Sequence, residues 1–152
     1  MTTTTIAAIP QTSESISHGR FSRYVPGAAR YLLGAVFFVC GLNGFLNFLP
    51  APSGPVSEGA MVFAGALLKT GYMFPLIKGT EVLCAALLLT NRFVPLALAM
   101  LAPVTINIVA FHAFLAPSGL GLAVFLMLLQ IRLAWAHRSV YAPMLTPRAK
   151  AQ

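Results

Sequence analysis

No aspartate occurs anywhere in the 152 residues, and there are only three glutamates. Charged side chains make up 9% of the chain against 58% hydrophobic ones, whereas soluble domains carry roughly a quarter charged residues. With a mean hydropathy of +0.82, this scarcity excludes an ordinary soluble domain and points to an integral membrane protein. Cysteine is scarce too: Cys40 and Cys84 lie in apolar stretches and form no C-x-x-C unit, so neither a structural zinc site nor a thioredoxin-type motif is indicated. Haem, flavin and metal motifs are also missing, and no covalently bound cofactor is expected. The N-terminus opens polar, with a hydrophobic run of only four residues before Pro10. It does not read as a secretory signal, so the first long apolar span is expected to stay as an anchor.

The net charge of +7 would suit a nucleic-acid partner if the bases lined one face of a folded domain. Instead they stand in short groups beside apolar spans, and no nucleic acid is expected. Arg20, Arg23, Arg30, Arg92, Arg132, Arg138, Arg148 and Lys150 fall on the side of the termini, against Lys69 and the boundary residue Lys78. That distribution predicts cytoplasmic termini.

Four apolar segments, at 28–49, 74–89, 93–115 and 120–136, approach the roughly 20 residues a membrane helix needs. They define a membrane domain over 28–138, between a Thr/Ser-rich tail at 1–27, expected to be disordered, and a basic tail at 139–152. The Pro-rich stretch at 50–55 ends the first span, and Pro103 should kink the third. Residues 57–69 read as a helix too short to span, with Ser57 as N-cap, Glu58 in the first turn, Lys69 in the last and Gly71 just beyond. The expected fold is an all-α, up-down-up-down four-helix bundle, with a short interfacial or re-entrant helix between spans 1 and 2.

Polar residues inside such spans carry the functional information. An ionised side chain in hydrocarbon is costly, pairs with another group and marks a pathway or ligand site. Lys78 and Glu81 stand one turn apart on one helix face, as do Asn43 and Asn47. Counting about 1.5 Å per residue from the outer helix ends puts Asn47, Lys78 and His112 roughly 5 Å deep, and Asn43, Glu81 and Asn107 roughly 10 Å deep. Asn107 and His112 are about 140° apart on an ideal helix, so their joint inward orientation would need help from Pro103. Other roles stay open: snorkelling for Lys78, structural pairing for Glu81, interhelical hydrogen bonding for the asparagines and an interfacial hydrogen bond for His112. Cys40 and Cys84 continue the two faces toward mid-membrane, and Gly34, Gly41 and Gly44 suit close helix contact.

The run YLLGAVFFVCGLNGFLNFLP at 31–50, the segment TGYMFPLIKGTE at 70–81 and NRFVPLALAMLAPVTIN at 91–107, continuing through His112 to Gly119, together resemble DoxX family membrane proteins. The resemblance covers about residues 30–141. It implies a small four-helix protein of the bacterial inner membrane, linked to redox systems and working beside an oxidoreductase partner. Asn43, Lys78, Glu81, Asn107 and His112 carry over as a pattern rather than as established active-site residues.

Three functions follow as expectations. In the first, an outer-leaflet polar pocket binds a quinone, with Glu81, Lys78 and His112 as a proton relay and Asn43, Asn47 and Asn107 as ligand contacts. In the second, the bundle is a non-catalytic scaffold for a partner oxidoreductase, and the polar cluster only holds helices together. Transport of a proton or small solute is the third, disfavoured because four helices enclose little space unless a homo-oligomer adds more.

Overall fold

A computed structural model describes residues 18–50 and 56–145, with side chains over 26–50 and 56–144. Most of the expected N-terminal tail, the centre of the Pro-rich connection and the last seven residues lie outside the described residues. Six α-helices follow in order, joined by turns, with no strand among the described residues.

The first helix, α1 (His18–Leu46), begins ten residues before the expected span and carries Pro26 inside it. Proline removes one backbone hydrogen bond, while Phe21, Tyr24 and Val25 recur at helical spacing and favour continuation upstream. Residues 18–27 are therefore helical, not part of a disordered tail. Two asparagines end α1. Asn47 takes a left-handed conformation at φ 48°, and the Asn43 side-chain oxygen accepts from Leu49 N–H at 2.7 Å.

Next, α2 (Glu58–Lys69) has the expected cap: Ser57 Oγ accepts from Ala60 N–H at 3.2 Å. The same hydroxyl donates to the Leu115 carbonyl at 2.5 Å and so pins the start of α2 to the end of a later helix. Thr70 and Gly71, at φ +75°, then turn the chain by 91° into α3 (Met73–Leu89). At 17 residues, α3 is roughly 25 Å long, a little short of the hydrocarbon thickness of about 30 Å.

The tight turn 90–93 closes on α3 through Arg92 N–H to the Leu87 carbonyl at 2.9 Å and leads into α4 (Val94–Phe114). A 3-10 turn (Pro117–Gly119) leads into α5 (Leu120–Ala136). Residues 26–46, α4, and α5 with its leading turn are each long and apolar enough to cross a membrane, and the bent α2–α3 pair makes a fourth span if counted as one. The chain is a multi-pass helical membrane protein.

Around the bundle, α1 packs on α3, α3 on α4, α4 on α5, and α5 closes on α1. The α1–α3 contact is the most extensive, and glycines explain it. A Cβ at Gly41 would stand 2.8 Å from Val82 Cγ2, and one at Gly44 would stand 2.6 Å from the Lys78 stem. The solid core is Leu33 and Phe37 of α1, Cys84, Ala85 and Leu88 of α3, Ala97, Leu98 and Leu101 of α4, and Leu126 and Leu133 of α5. Most of it lies toward the end of the bundle where α3 hands over to α4.

Two features at that end depart from expectation. Arg30, read as a surface topology signal, is buried and donates to the Leu88 carbonyl at 2.6 Å. There it adds a second donor to a carbonyl at the end of α3 that also accepts from Asn91 N–H at 3.2 Å, a favourable place for a cation. The C-terminal segment does not leave as a tail at residue 139: α6 (Arg138–Tyr141) and a 3-10 turn (Ala142–Leu145) fold back. Tyr141 Oη donates to the Pro95 carbonyl at 2.6 Å, and burial pushes its phenol pKa up.

Candidate functional site

The other end of the bundle is hollow. A cavity of about 410 Å³ lies between α2, α3 and α4, bordered by Phe63, Phe74, Lys78, Glu81, Asn107 and His112 among others. A second, of about 280 Å³, lies among α1, α3, α4 and the start of α5, with Cys40, Lys78, Glu81, His112 and Gly119 on its wall. Lys78, Glu81, Ile108 and His112 border both cavities. The charged pair and the imidazole therefore stand on a shared partition.

At that partition, Lys78 Nζ donates to both carboxylate oxygens of Glu81, at 3.1 and 2.9 Å. Glu81 is 2% exposed, and the Lys78 side chain 21%. An ammonium has three N–H donors, so two go to the carboxylate and one remains for another acceptor. The lysine stem lies against Gly44 of α1, where any larger residue would collide with it. This is the only ion pair among the described residues. It links positions i and i+3 of one helix, so it holds no two helices together.

His112 is set by the turn that follows its helix. Its Nδ1 lies 2.9 Å from the Ala116 carbonyl. A carbonyl only accepts, so Nδ1 carries the proton and Nε2 of the neutral ring is left with a lone pair. No side-chain polar atom among the described residues is both buried and unpartnered, so Nε2, which has no protein partner, is open to the cavity space. Gly119 makes room for the ring: a Cβ there would collide with Cε1 and Nδ1 of the imidazole. Phe111 meets the imidazole edge-on at 5.3 Å between centroids, and Phe63 of α2 packs on Phe111 at 5.5 Å. Through these rings the short helix forms one wall of the larger cavity.

Of the residues singled out from sequence, Lys78, Glu81 and His112 come together, with Asn107 at the exposed edge of the same cavity. Asn43 and Asn47 do not join them; their bonds and backbone terminate α1, and neither borders the two cavities. Cys40 borders the smaller cavity and Cys84 is buried in the core; both are free thiols. Sequence reasoning missed a second buried polar pair. Thr105 Oγ1 donates to Gln130 Oε1 at 2.5 Å, and Gln130 Nε2 donates to the Leu98 carbonyl at 2.9 Å. A lone glutamine inside an apolar span was the available signal.

A groove of about 450 Å³ between α4 and α5 passes Gln130 and ends at Tyr141. It contains no charged side chain, so the candidate chemistry belongs to the Lys78–Glu81–His112 partition. Comparison with protein-family models, curated proteins and solved structures returned no match.

Proposed function

We propose that the chain is a DoxX-like, redox-associated membrane subunit that binds a quinone, or a similar lipophilic redox molecule, at the Lys78–Glu81–His112 partition. One observation carries this reading: a buried ion pair that joins no helices borders two cavities, beside an imidazole with one unbonded nitrogen. A charge pair kept in an apolar bundle without cross-linking it is expensive structural material, which favours a ligand role over the scaffold reading.

The chemistry suits a quinone. Full reduction takes up two electrons and two protons, and the chain supplies proton and hydrogen-bonding groups while an oxidoreductase partner supplies the electrons. The third N–H of Lys78 meets a quinone carbonyl. His112 Nε2 accepts from a hydroquinone hydroxyl and donates only once protonated. Glu81, buried against Lys78, exchanges protons with the bound head group. Phe63, Phe74 and Phe111 offer the ring an apolar bed, and Asn107 lies at the entrance. The charge distribution supports cytoplasmic termini and an outer-leaflet site, and the sequence resemblance supports a bacterial inner membrane.

Titration of the purified protein with a soluble quinone analogue tests the reading. Wild type should bind saturably, and Glu81→Gln and Lys78→Met should lose most of that affinity while remaining folded. Equal binding by folded variants would contradict it.

A further inference from the structure

A different cavity, at the opposite end of the bundle, has chemistry of its own. It measures about 230 Å³ and is bordered by Pro26 and Ala29 of α1, by Arg132, Leu133, Trp135 and Ala136 of α5, and by Arg138 of α6. Two guanidinium groups therefore border one small hollow where α5 ends and α6 begins. The two glutamates with described side chains are at the other end, Glu58 opening α2 and Glu81 held by Lys78. Neither Arg132 nor Arg138 has a carboxylate partner among the described residues.

The local geometry leaves these cations available. The end of a helix presents unpaired carbonyls, which repel an anion. Here His137 covers two of them, its backbone N–H reaching the Leu133 and Ala134 carbonyls at 3.2 and 3.1 Å and its Nδ1 reaching Leu133 at 2.9 Å. Arg138 uses one nitrogen on the Trp135 carbonyl at 3.3 Å and lies 5.6 Å over the Trp135 ring. That contact orients the guanidinium and leaves its other donors free. Trp135 itself is 63% exposed, and an exposed indole at the end of a membrane helix belongs at the head-group level.

We infer that this hollow binds the phosphate of an anionic phospholipid, with Arg132 and Arg138 as the ligating groups and Trp135 packed against the glycerol and upper acyl region. Guanidinium forks match phosphate oxygens in pairs, and basic pockets between membrane helices suit anionic head groups. The site needs no quinone and no partner, so it is independent of the function proposed above.

The test is thermal unfolding of the detergent-purified protein with added phosphatidylglycerol, phosphatidylcholine or inorganic phosphate, together with native mass spectrometry of bound lipid. Phosphatidylglycerol should raise the Tm of wild type and appear as a retained adduct, while phosphatidylcholine and inorganic phosphate should do neither. The double variant R132Q/R138Q should bind phosphatidylglycerol about tenfold more weakly, as expected for lost charge-assisted contacts. Arg92→Gln, exposed in the neighbouring turn and away from this hollow, should respond like wild type. An unchanged response in the double variant, an equal loss in Arg92→Gln, or an equal effect of phosphatidylcholine or inorganic phosphate on wild type would overturn the assignment.

Discussion

Two buried polar pairs sit in the same bundle and do opposite things. Thr105 and Gln130 are neutral, belong to different helices and close their bonds on the Leu98 carbonyl. They tie α4 to α5 beside a groove that carries no charged side chain. Lys78 and Glu81 are charged, belong to one helix and face two cavities. The first pair is explained by stability alone, since each member satisfies the other across an interface. The second is not, because its removal would cost no helix a neighbour. Both pairs have space beside them, so charge, and whether the pair joins two helices, separates glue from site.

Breaking the charged pair should have the largest effect. Glu81→Ala leaves an ammonium without its counter-charge and should cost about 3 kcal/mol of stability, the lower end for a broken buried pair because Lys78 is partly exposed. Glu81→Gln keeps an oxygen acceptor for Lys78 and should fold, while quinone-analogue affinity falls roughly ten- to a hundredfold. Thermal unfolding and ligand titration on both variants check this.

Gly119→Ala should follow. Its Cβ would collide with the imidazole, so His112 must leave its place or the turn must shift, at about 1–3 kcal/mol. Ligand affinity should drop about as far as in His112→Ala, and combining the two should add little, because both changes remove the same ring from the same place. An additive double variant would count against His112 acting at the position described.

The neutral pair sharpens the contrast. Gln130→Leu removes the α4–α5 link, but the Thr105 hydroxyl can turn back to a carbonyl of its own helix. A loss of about 1 kcal/mol is expected, with ligand binding unchanged. A loss of binding here would erase the distinction between the two pairs.

Tyr141→Phe should have the smallest effect, about 0.5–1.5 kcal/mol from the lost bond to the Pro95 carbonyl. The pH dependence has a definite sign. Burial raises the folded-state pKa of this phenol above its ordinary value of 10.0. Its contribution is therefore fully present below pH 10 and is lost as pH rises through the raised value. Wild type should show a small alkaline destabilisation that Tyr141→Phe lacks.

Much of the fold was legible because it depends on local signals. Apolar length gave the spans, Ser57 and Glu58 marked the start of α2, and the glycines of α1 indicated the closest helix contact. The start of α1 was not legible: a Thr/Ser-rich, polar composition suggested a tail, while the helical spacing of Phe21, Tyr24 and Val25 was the weaker signal. At the site, Lys78 and Glu81 could be paired because one turn of one helix joins them. That Asn43 closes the end of α1 was not legible, because helix periodicity ignores the end of the helix, where its side-chain oxygen is taken by the Leu49 amide. Gln130 and Thr105 stand 25 residues apart, and only packing reveals which helices meet. The packing of Gly119 beneath His112 is legible only once the turn after α4 is folded.

The most direct measurement is quinone-analogue binding to wild type, Glu81→Gln and Gln130→Leu side by side, each first shown to be folded by its unfolding transition. The account predicts saturable binding for wild type and Gln130→Leu and a loss of at least about tenfold for Glu81→Gln. Equal affinity in all three, or no saturable binding by wild type, would contradict a ligand site at the Lys78–Glu81 pair.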